Sequence, residues 1–324
     1  MKKQIQKILQ IIIPPGIGLL IIWWTMGALT LEERTAIKDA FLNANYVWII
    51  LAVIIGLLSH LSRAYRWKFL LEPMGYKPRF LNSVFAIFIA YLVNLGIPRA
   101  GEVIRATTLS KYEGIPFEKS FGTIVAERVV DLILLSLIIV SALFFQVNFF
   151  KDKLLQKIPD QPLFLLSMAF LLLSLFLVFL WRIRRSDHKV FIKIRQFIKG
   201  IWEGISSIWR MKNRWAFIAH SVFIWTMYVL MFYVVSLAIK DTSSLSFGAI
   251  ISGFIGGTLG VTANGGLGTF PLAVKEILSL YGITPYSAWA FGWLMWSSQT
   301  AMIILLGLAS FIGIPLYNKK YFKS

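Results

Sequence analysis

Long apolar runs alternate with short, mostly basic polar stretches along this chain. The candidate membrane segments are Ile11–Leu29, Tyr46–Ser62, Phe80–Leu95, Phe121–Phe145, Leu163–Trp181, Trp215–Ile239, Phe247–Leu259 and Tyr286–Ile314. A hydrocarbon layer of ~30 Å takes about 20 helical residues to cross, and most of these runs come near that length. The pattern predicts an all-α polytopic membrane protein of about eight membrane segments, forming one integral membrane domain over residues 1–324. The first run follows Lys2, Lys3 and Lys7, as a signal peptide would, but Trp23-Trp24-Thr25-Met26 offers no small-residue cleavage site. It is read as a retained helix.

Charge turns this list of segments into a topology. The chain carries 33 Lys and Arg against 15 Asp and Glu, a net charge of +18. In a soluble protein that balance would suggest nucleic acid. Here the cations gather in the loops between apolar runs, which is the positive-inside pattern, and no nucleic-acid partner is expected. Lys2, Lys3 and Lys7 read as cytoplasmic, and so do Arg63, Arg66, Lys68, Lys77 and Arg79 set against Glu72. The stretch with Glu32, Glu33, Arg34, Lys38 and Asp39 reads as external. Residues 182–214 read as a basic cytoplasmic connector. Its Phe191, Ile194, Phe197, Ile198, Ile201, Ile205 and Ile208 recur at helical spacing and suit the inner leaflet.

Three apolar segments lie between two cytoplasmic regions, so one of them must enter and return on the same side. Residues 80–112 fit that description, and parity before the tail of Lys319, Lys320 and Lys323 asks for a second return over residues 247–282. The expectation is six full spans plus two re-entrant hairpins of opposite orientation, with both termini cytoplasmic, in the cell (inner) membrane. The competing reading is that one loop breaks the charge bias and every segment crosses.

The candidate chemistry sits at the breaks. Asn94-Leu95-Gly96-Ile97-Pro98-Arg99-Ala100-Gly101-Glu102 interrupts an apolar run and continues to Arg105. Glu127, Arg128 and Asp131 precede the apolar run Leu132 to Phe145. An ionisable group at a membrane helix centre costs about 2.5–3.5 kcal/mol on insertion scales and points to function. Arg99, Arg105 and Arg128 match the geometry of a phosphate. Glu102, Glu127 and Asp131 are placed to balance charge or carry protons. Asn264-Gly265-Gly266-Leu267-Gly268-Thr269 is too rich in glycine for a regular helix and reads as an unwound tip, where backbone N–H groups can face an anion. Its competing reading is close helix packing through small residues, which suits Gly253, Gly256 and Gly260 better.

Other chemistry is not indicated. There is no cysteine, and His60, His188 and His220 have no metal-ligand spacing, so neither metal nor cofactor is expected. H-E-x-x-H, G-x-S-x-G and Walker A motifs are absent, and the chain is not read as an enzyme.

The motif order Asn94-x-Gly-x-Pro-Arg-x-Gly-Glu-x-x-Arg, then Glu127-Arg128-x-x-Asp131, then Gly265-Gly266-x-Gly268 resembles the flippase-like family of the lysylphosphatidylglycerol synthase transmembrane region. The resemblance covers nearly the whole chain. It implies a bacterial or archaeal membrane protein that moves lipid between leaflets, here without the soluble aminoacyl-transfer domain of the best-known relatives. Two departures stand out. Ala263-Asn264 replaces a stretch that often holds proline, and Pro271 stands where an acid is common, with Glu276 the nearest carboxylate.

The resulting expectation is a transporter of an anionic lipid, phospholipid or polyprenyl-phosphate-linked. The first alternative is a non-catalytic accessory subunit of a lipid-modifying enzyme or glycosyltransferase. The second is an intramembrane enzyme acting on a lipid headgroup. Self-association into an oligomer stays open.

Overall fold

The computed structural model describes residues 30–97, 99–146 and 211–319, together with Trp23 and Gly27. Most of Ile11–Leu29, all of Leu163–Trp181 and the connector 182–214 up to residue 210 lie outside the described residues. Among the described residues every regular element is helical, as the segment pattern predicts. The chain divides into two compact units, Met1–Ile124 with Lys212–Ser324, and Val125–Met211.

The helices are α1 (Leu31–Leu42), α2 (Tyr46–Leu71), α3 (Phe80–Gly96), α4 (Ala100–Glu113), α5 (Phe117–Phe145), α6 (Arg214–Ser236), α7 (Phe247–Asn264), α8 (Thr269–Leu280) and α9 (Pro285–Asn318). Their starts follow local chemistry. Thr30 and Glu33 form a reciprocal capping box at α1. The Asn45 side chain accepts from the Val47 N–H at 3.1 Å to open α2, and Ser246 accepts from the Ala249 N–H at 3.2 Å to open α7. Among the described residues, four helices are long and apolar enough to cross a membrane: α2 with the turn after it, α5, α6 and α9. α3 and most of α7 form shorter apolar helices.

The largest boundary difference from the sequence reading is in α2. α2 does not end at Ser62 but continues to Leu71. Arg63 and Arg66, counted above as loop charges, are buried on this helix. Each has a hydrogen-bond partner on α6. Arg66 Nη1 donates to Ser221 Oγ at 2.7 Å and its guanidinium lies over the Phe217 ring, while Arg63 Nη2 donates to Tyr228 OH at 3.3 Å. Partners on α6 therefore allow the helix to carry charge inward, where an isolated charge would end it in water.

The other elements of the larger unit pair into two helical hairpins. α4 folds back along α3, with Gly101 against Ala90 near the turn and Arg79 Nε on Glu113 at 2.9 Å at the open end. α8 folds back along α7 in the same way: Gly260 faces Thr269, Gly256 faces Ile277, and Gly253 faces Leu278. Small residues let the two helices approach closely, which is how helices hold together where lipid gives no hydrophobic drive. α3 with α4 and α7 with α8 thus each form an antiparallel helix pair.

α9 is the spine that orders both hairpins. It has 34 residues and is about 50 Å long at 1.5 Å per residue. Near its start Gly292 meets Pro271 of α8, and Trp296 meets Gly265 and Gly266. Farther along, Gly307 meets Phe88 and Leu92 of α3, Gly313 meets Phe85, and Asn318 meets Asn82. The two hairpins therefore lie along α9 from opposite ends. Their tips converge between Trp296 and Gly307, in the middle third of the helix.

The first hairpin is anchored by a polar clamp at its open end and an apolar core beside it. Asn82 donates to Glu113 and, at 3.0 Å, to Asn318 Oδ1; Asn318 Nδ2 returns a bond to Asn82 Oδ1 at 2.8 Å. Trp67, Leu71, Ala86, Ala106, Leu109, Ile115 and Ile124 bury one another and join α2, α3 and α4 to the start of α5.

Candidate functional site

The first tip is built from a cap and a strained residue. Arg99 has φ +68° and ψ −5°, and it is the one non-glycine residue with positive φ among the described residues. Holding a non-glycine residue there costs about 1–3 kcal/mol, a cost that tends to be kept at functional sites. Asn94, in the last turn of α3, accepts from the Gly101 N–H at 2.7 Å and so caps α4 across the turn. Gly101 has to be small, because a Cβ there would strike the Ala90 carbonyl oxygen and lie 2.7 Å from the Asn94 side chain. The Arg99 side chain is exposed and makes no hydrogen bond or ion pair among the described residues. Pro98 lies outside the described residues.

The second tip is the glycine run. Gly265, Gly266 and Gly268 have φ of +78°, +89° and +75°, a backbone path that side chains disfavour. Trp296 Nε1 donates to the Gly265 carbonyl at 3.3 Å and fixes the turn to α9. A Cβ at Gly265 would stand 3.7 Å from the Asn94 carbonyl oxygen, so the two tips touch. Asn264 ends α7, but its side chain lies outside the described residues.

Behind the tips sits Arg105. It is 3% exposed, and its guanidinium lies 3.7 Å from the Trp67 ring centre. The ring is held in turn, since Trp67 Nε1 donates to Thr123 Oγ1 at 2.8 Å. A desolvated cation over an indole face gains up to about 2 kcal/mol. Arg105 is therefore part of the scaffold under the tip, whereas Arg99 is open. Glu102 lies half-buried one turn before Arg105.

Glu127, Arg128 and Asp131 belong to the second unit. Glu127 and Asp131 are buried, at 0% and 6% exposure. Arg128 is half-exposed and its Nη1 lies 3.5 Å from Asp131 Oδ2, one turn along α5. Two carboxylates share the covered side of this helix and the arginine stands at its edge. The i, i+1, i+4 spacing predicts that arrangement, but it does not predict that Arg128 leans on Asp131.

Comparison with known proteins identifies the family. Residues 11–307 match the family described as the lysylphosphatidylglycerol synthase TM region. The chain belongs to that family. Among its relatives, the UPF0104 membrane protein MJ1595 of Methanocaldococcus jannaschii is 36% identical over 98 residues, which is 29% of each chain. Glycosyltransferase AglD of Haloferax volcanii is 29% identical over 118 residues, 36% of this chain and 19% of that protein. The UPF0104 membrane protein PH1989 of Pyrococcus horikoshii is 29% identical over 132 residues, 40% of this chain and 37% of that protein. The matched segments thus span well under half of these relatives' lengths. No solved structure matches the chain.

Within this family member, the structure brings Asn94, Arg99, Gly101, Gly265, Gly266 and Gly268 to one place and sets Arg105 just behind them. Sequence reasoning missed two groups. Trp296 holds the glycine turn, and its partner is a backbone carbonyl 31 residues away, which no pattern announces. The second group is the polar seam between α2 and α6. Ser62 Oγ lies 2.8 Å from His220 Nδ1, beside the Arg63 and Arg66 contacts, and His60 is enclosed by Phe88, Tyr91 and Tyr228. His60, Arg63 and Arg66 follow one another at three-residue steps. That spacing was the available signal that the helix continues and turns one charged side inward.

Proposed function

We propose that this protein moves an anionic lipid between membrane leaflets, with the two hairpin tips as the point where the headgroup passes. One observation carries the reading: the tips meet beside the middle of α9, at Asn94 and Gly265, with an uncommitted arginine on the turn. In this reading both hairpins are re-entrant and α9 spans the bilayer, so the tips lie near the midplane. Irregular backbone at that depth is tolerated where protein or a water-filled cavity surrounds it. Arg99 takes the phosphate by charge-assisted hydrogen bonds. Asn94 and Arg105 position that arginine, one by capping the turn and one by filling the space under it. The glycine turn lets backbone approach the headgroup. Glu127, Arg128 and Asp131 supply charge balance on α5, and no step of the reading needs a metal, cofactor or covalent intermediate. In this reading both termini lie in the cytoplasm.

The test is headgroup movement in liposomes. Purified protein reconstituted with a fluorescent phosphatidylglycerol should expose the label to an impermeant quencher. Arg99→Ala should slow that exposure by roughly tenfold or more, the effect of losing one charge-assisted hydrogen bond. Movement equal to protein-free liposomes would overturn the reading.

A second reading is a membrane partner of a lipid-linked glycosyltransferase. The similarity to AglD, named as a glycosyltransferase, favours it. It predicts no movement by the purified chain and restored movement or transfer once the enzyme is added.

A further inference from the structure

The two return helices differ in how they treat charge. On α8, Lys275 Nζ pairs with Glu276 Oε1 at 3.3 Å, so that helix neutralises itself. On α4, Val103, Thr107 and Lys111 are exposed, four residues apart, and Arg99, the non-helical residue that caps the helix, is exposed just ahead of them. They form a stripe that winds slowly from the tip to the open end of the hairpin. Arg99 and Lys111, its two ends, make no ion pair among the described residues; Lys111 only leans toward its neighbouring Tyr112 ring, 5.2 Å away. Thr107 Oγ1 donates to the Val103 carbonyl at 2.9 Å, which leaves its oxygen lone pairs outward. Gly101, Arg105, Ala106 and Leu109 of α4 are buried.

Depth makes this stripe informative. α4 lies antiparallel along α3, an apolar helix, and α3 lies along the second half of α9. Whatever depth α3 occupies, α4 occupies too. An amphipathic helix on a membrane surface would carry its polar side in water at no cost. A cation held at the tip, at the deep end of the hairpin, needs water or a polar ligand against it and a polar path to the surface.

From this we infer that the Arg99–Val103–Thr107–Lys111 side of α4 lines a hydrated half-channel about 18 Å long, at 1.5 Å per residue, along which a lipid phosphate travels between the membrane surface and the tip. The inference rests on the leaflet-transport reading above and adds its route and its substrate class. The occupant is a lipid bearing a phosphodiester. Lys111 receives the phosphate at the open end, Thr107 passes it at mid-length, and Arg99 holds it at the tip. The acyl chains stay in the bilayer. Because both fixed charges are positive, anionic phosphatidylglycerol is carried in preference to zwitterionic phosphatidylcholine.

Two measurements on the full chain in liposomes separate the route from the transport function. The chain has no cysteine, so single cysteines at Val103, Thr107 and Lys111 can each be challenged with an impermeant, water-soluble thiol reagent, with Leu109→Cys as the buried control. The inference predicts that all three react from one side of the bilayer and that Leu109→Cys does not. It also predicts that Thr107→Trp slows phosphatidylglycerol movement at least tenfold, while Ser244→Trp, at an exposed position in the connection before α7, leaves it within twofold. If Val103→Cys and Thr107→Cys stay unreactive while the protein still moves lipid, the route is wrong and the transport reading stands. If the three positions react but no lipid moves in any liposome, the stripe is hydrated for another purpose, and both the route and the transport reading fall. Equal movement of phosphatidylcholine and phosphatidylglycerol would overturn the substrate class.

Discussion

Replacing Gly101 by alanine tests the first tip at its tightest point. A Cβ there would collide with the Ala90 carbonyl oxygen, a backbone atom in the middle of α3 that cannot swing aside. It would also press on the Asn94 side chain, at 2.7 Å from both Cγ and Nδ2. Relief requires α4 to move off α3, and that lengthens the Asn94 bond to the Gly101 N–H. Overpacking of this kind costs about 1–3 kcal/mol. Losing the cap adds about 1 kcal/mol. The added alanine recovers only about 0.5–1 kcal/mol of helix propensity. The net expectation is a loss of about 1–3.5 kcal/mol, read as a fall in the melting temperature followed by tryptophan fluorescence in detergent. Gly122→Ala is the matched control. It sits in α5 with nothing within 4 Å of its added Cβ, so it should melt at or slightly above the wild type. If Gly101→Ala melts with the wild type, or if Gly122→Ala is the more damaging of the two, the close packing of α4 on α3 is not what holds the tip.

Three further outcomes follow from the same geometry. Arg99→Gly removes the positive-φ strain and should stabilise the fold by about 1 kcal/mol while lipid movement falls, so a stability gain with full transport would detach the arginine from function. Trp296→Phe keeps an aromatic side chain but loses the Nε1 bond to Gly265, worth about 1 kcal/mol, together with the pyrrole-ring contact on Gly266; hydrogen exchange at residues 265–268 should rise, and unchanged protection would show that α9 does not fix the turn. Asn82→Ala opens the clamp with Glu113 and Asn318 and should cost about 1–3 kcal/mol in thermal unfolding, because Asn318 is left buried without its return bond; a neutral result would place the anchor in the Trp67 and Leu109 core instead.

The fold was legible where backbone chemistry is punctuated in the sequence. Gly96-Ile97-Pro98 and Asn264-Gly265-Gly266 mark both hairpin turns because few other residues permit such breaks in apolar helices. α2 was misread at Ser62 because three cations within six residues look like a loop when their partners are unseen. Ser221, Tyr228 and Phe217 lie more than 150 positions away and decide the matter through space. The candidate site was legible in composition but not in roles. Arg99 and Arg105 look equivalent in the sequence, yet one is open on a strained turn and the other is stacked on Trp67. Asn94 was chosen as a possible ligand contact and is the cap of the helix seven residues ahead. Nothing local marks Trp296, since a tryptophan in a long apolar helix reads as an interface anchor.

The central claim is that lipid passes where the two tips meet. Cysteines at Leu95 and Gly265 flank the close approach between the Asn94 carbonyl oxygen and Gly265. In the otherwise cysteine-free chain they can be joined by a short, cleavable thiol linker, and lipid movement measured before linking, after linking and after cleavage. The account predicts efficient joining, loss of movement on joining and its return on cleavage. Failure of the pair to join, or full lipid movement in the joined protein, would contradict it.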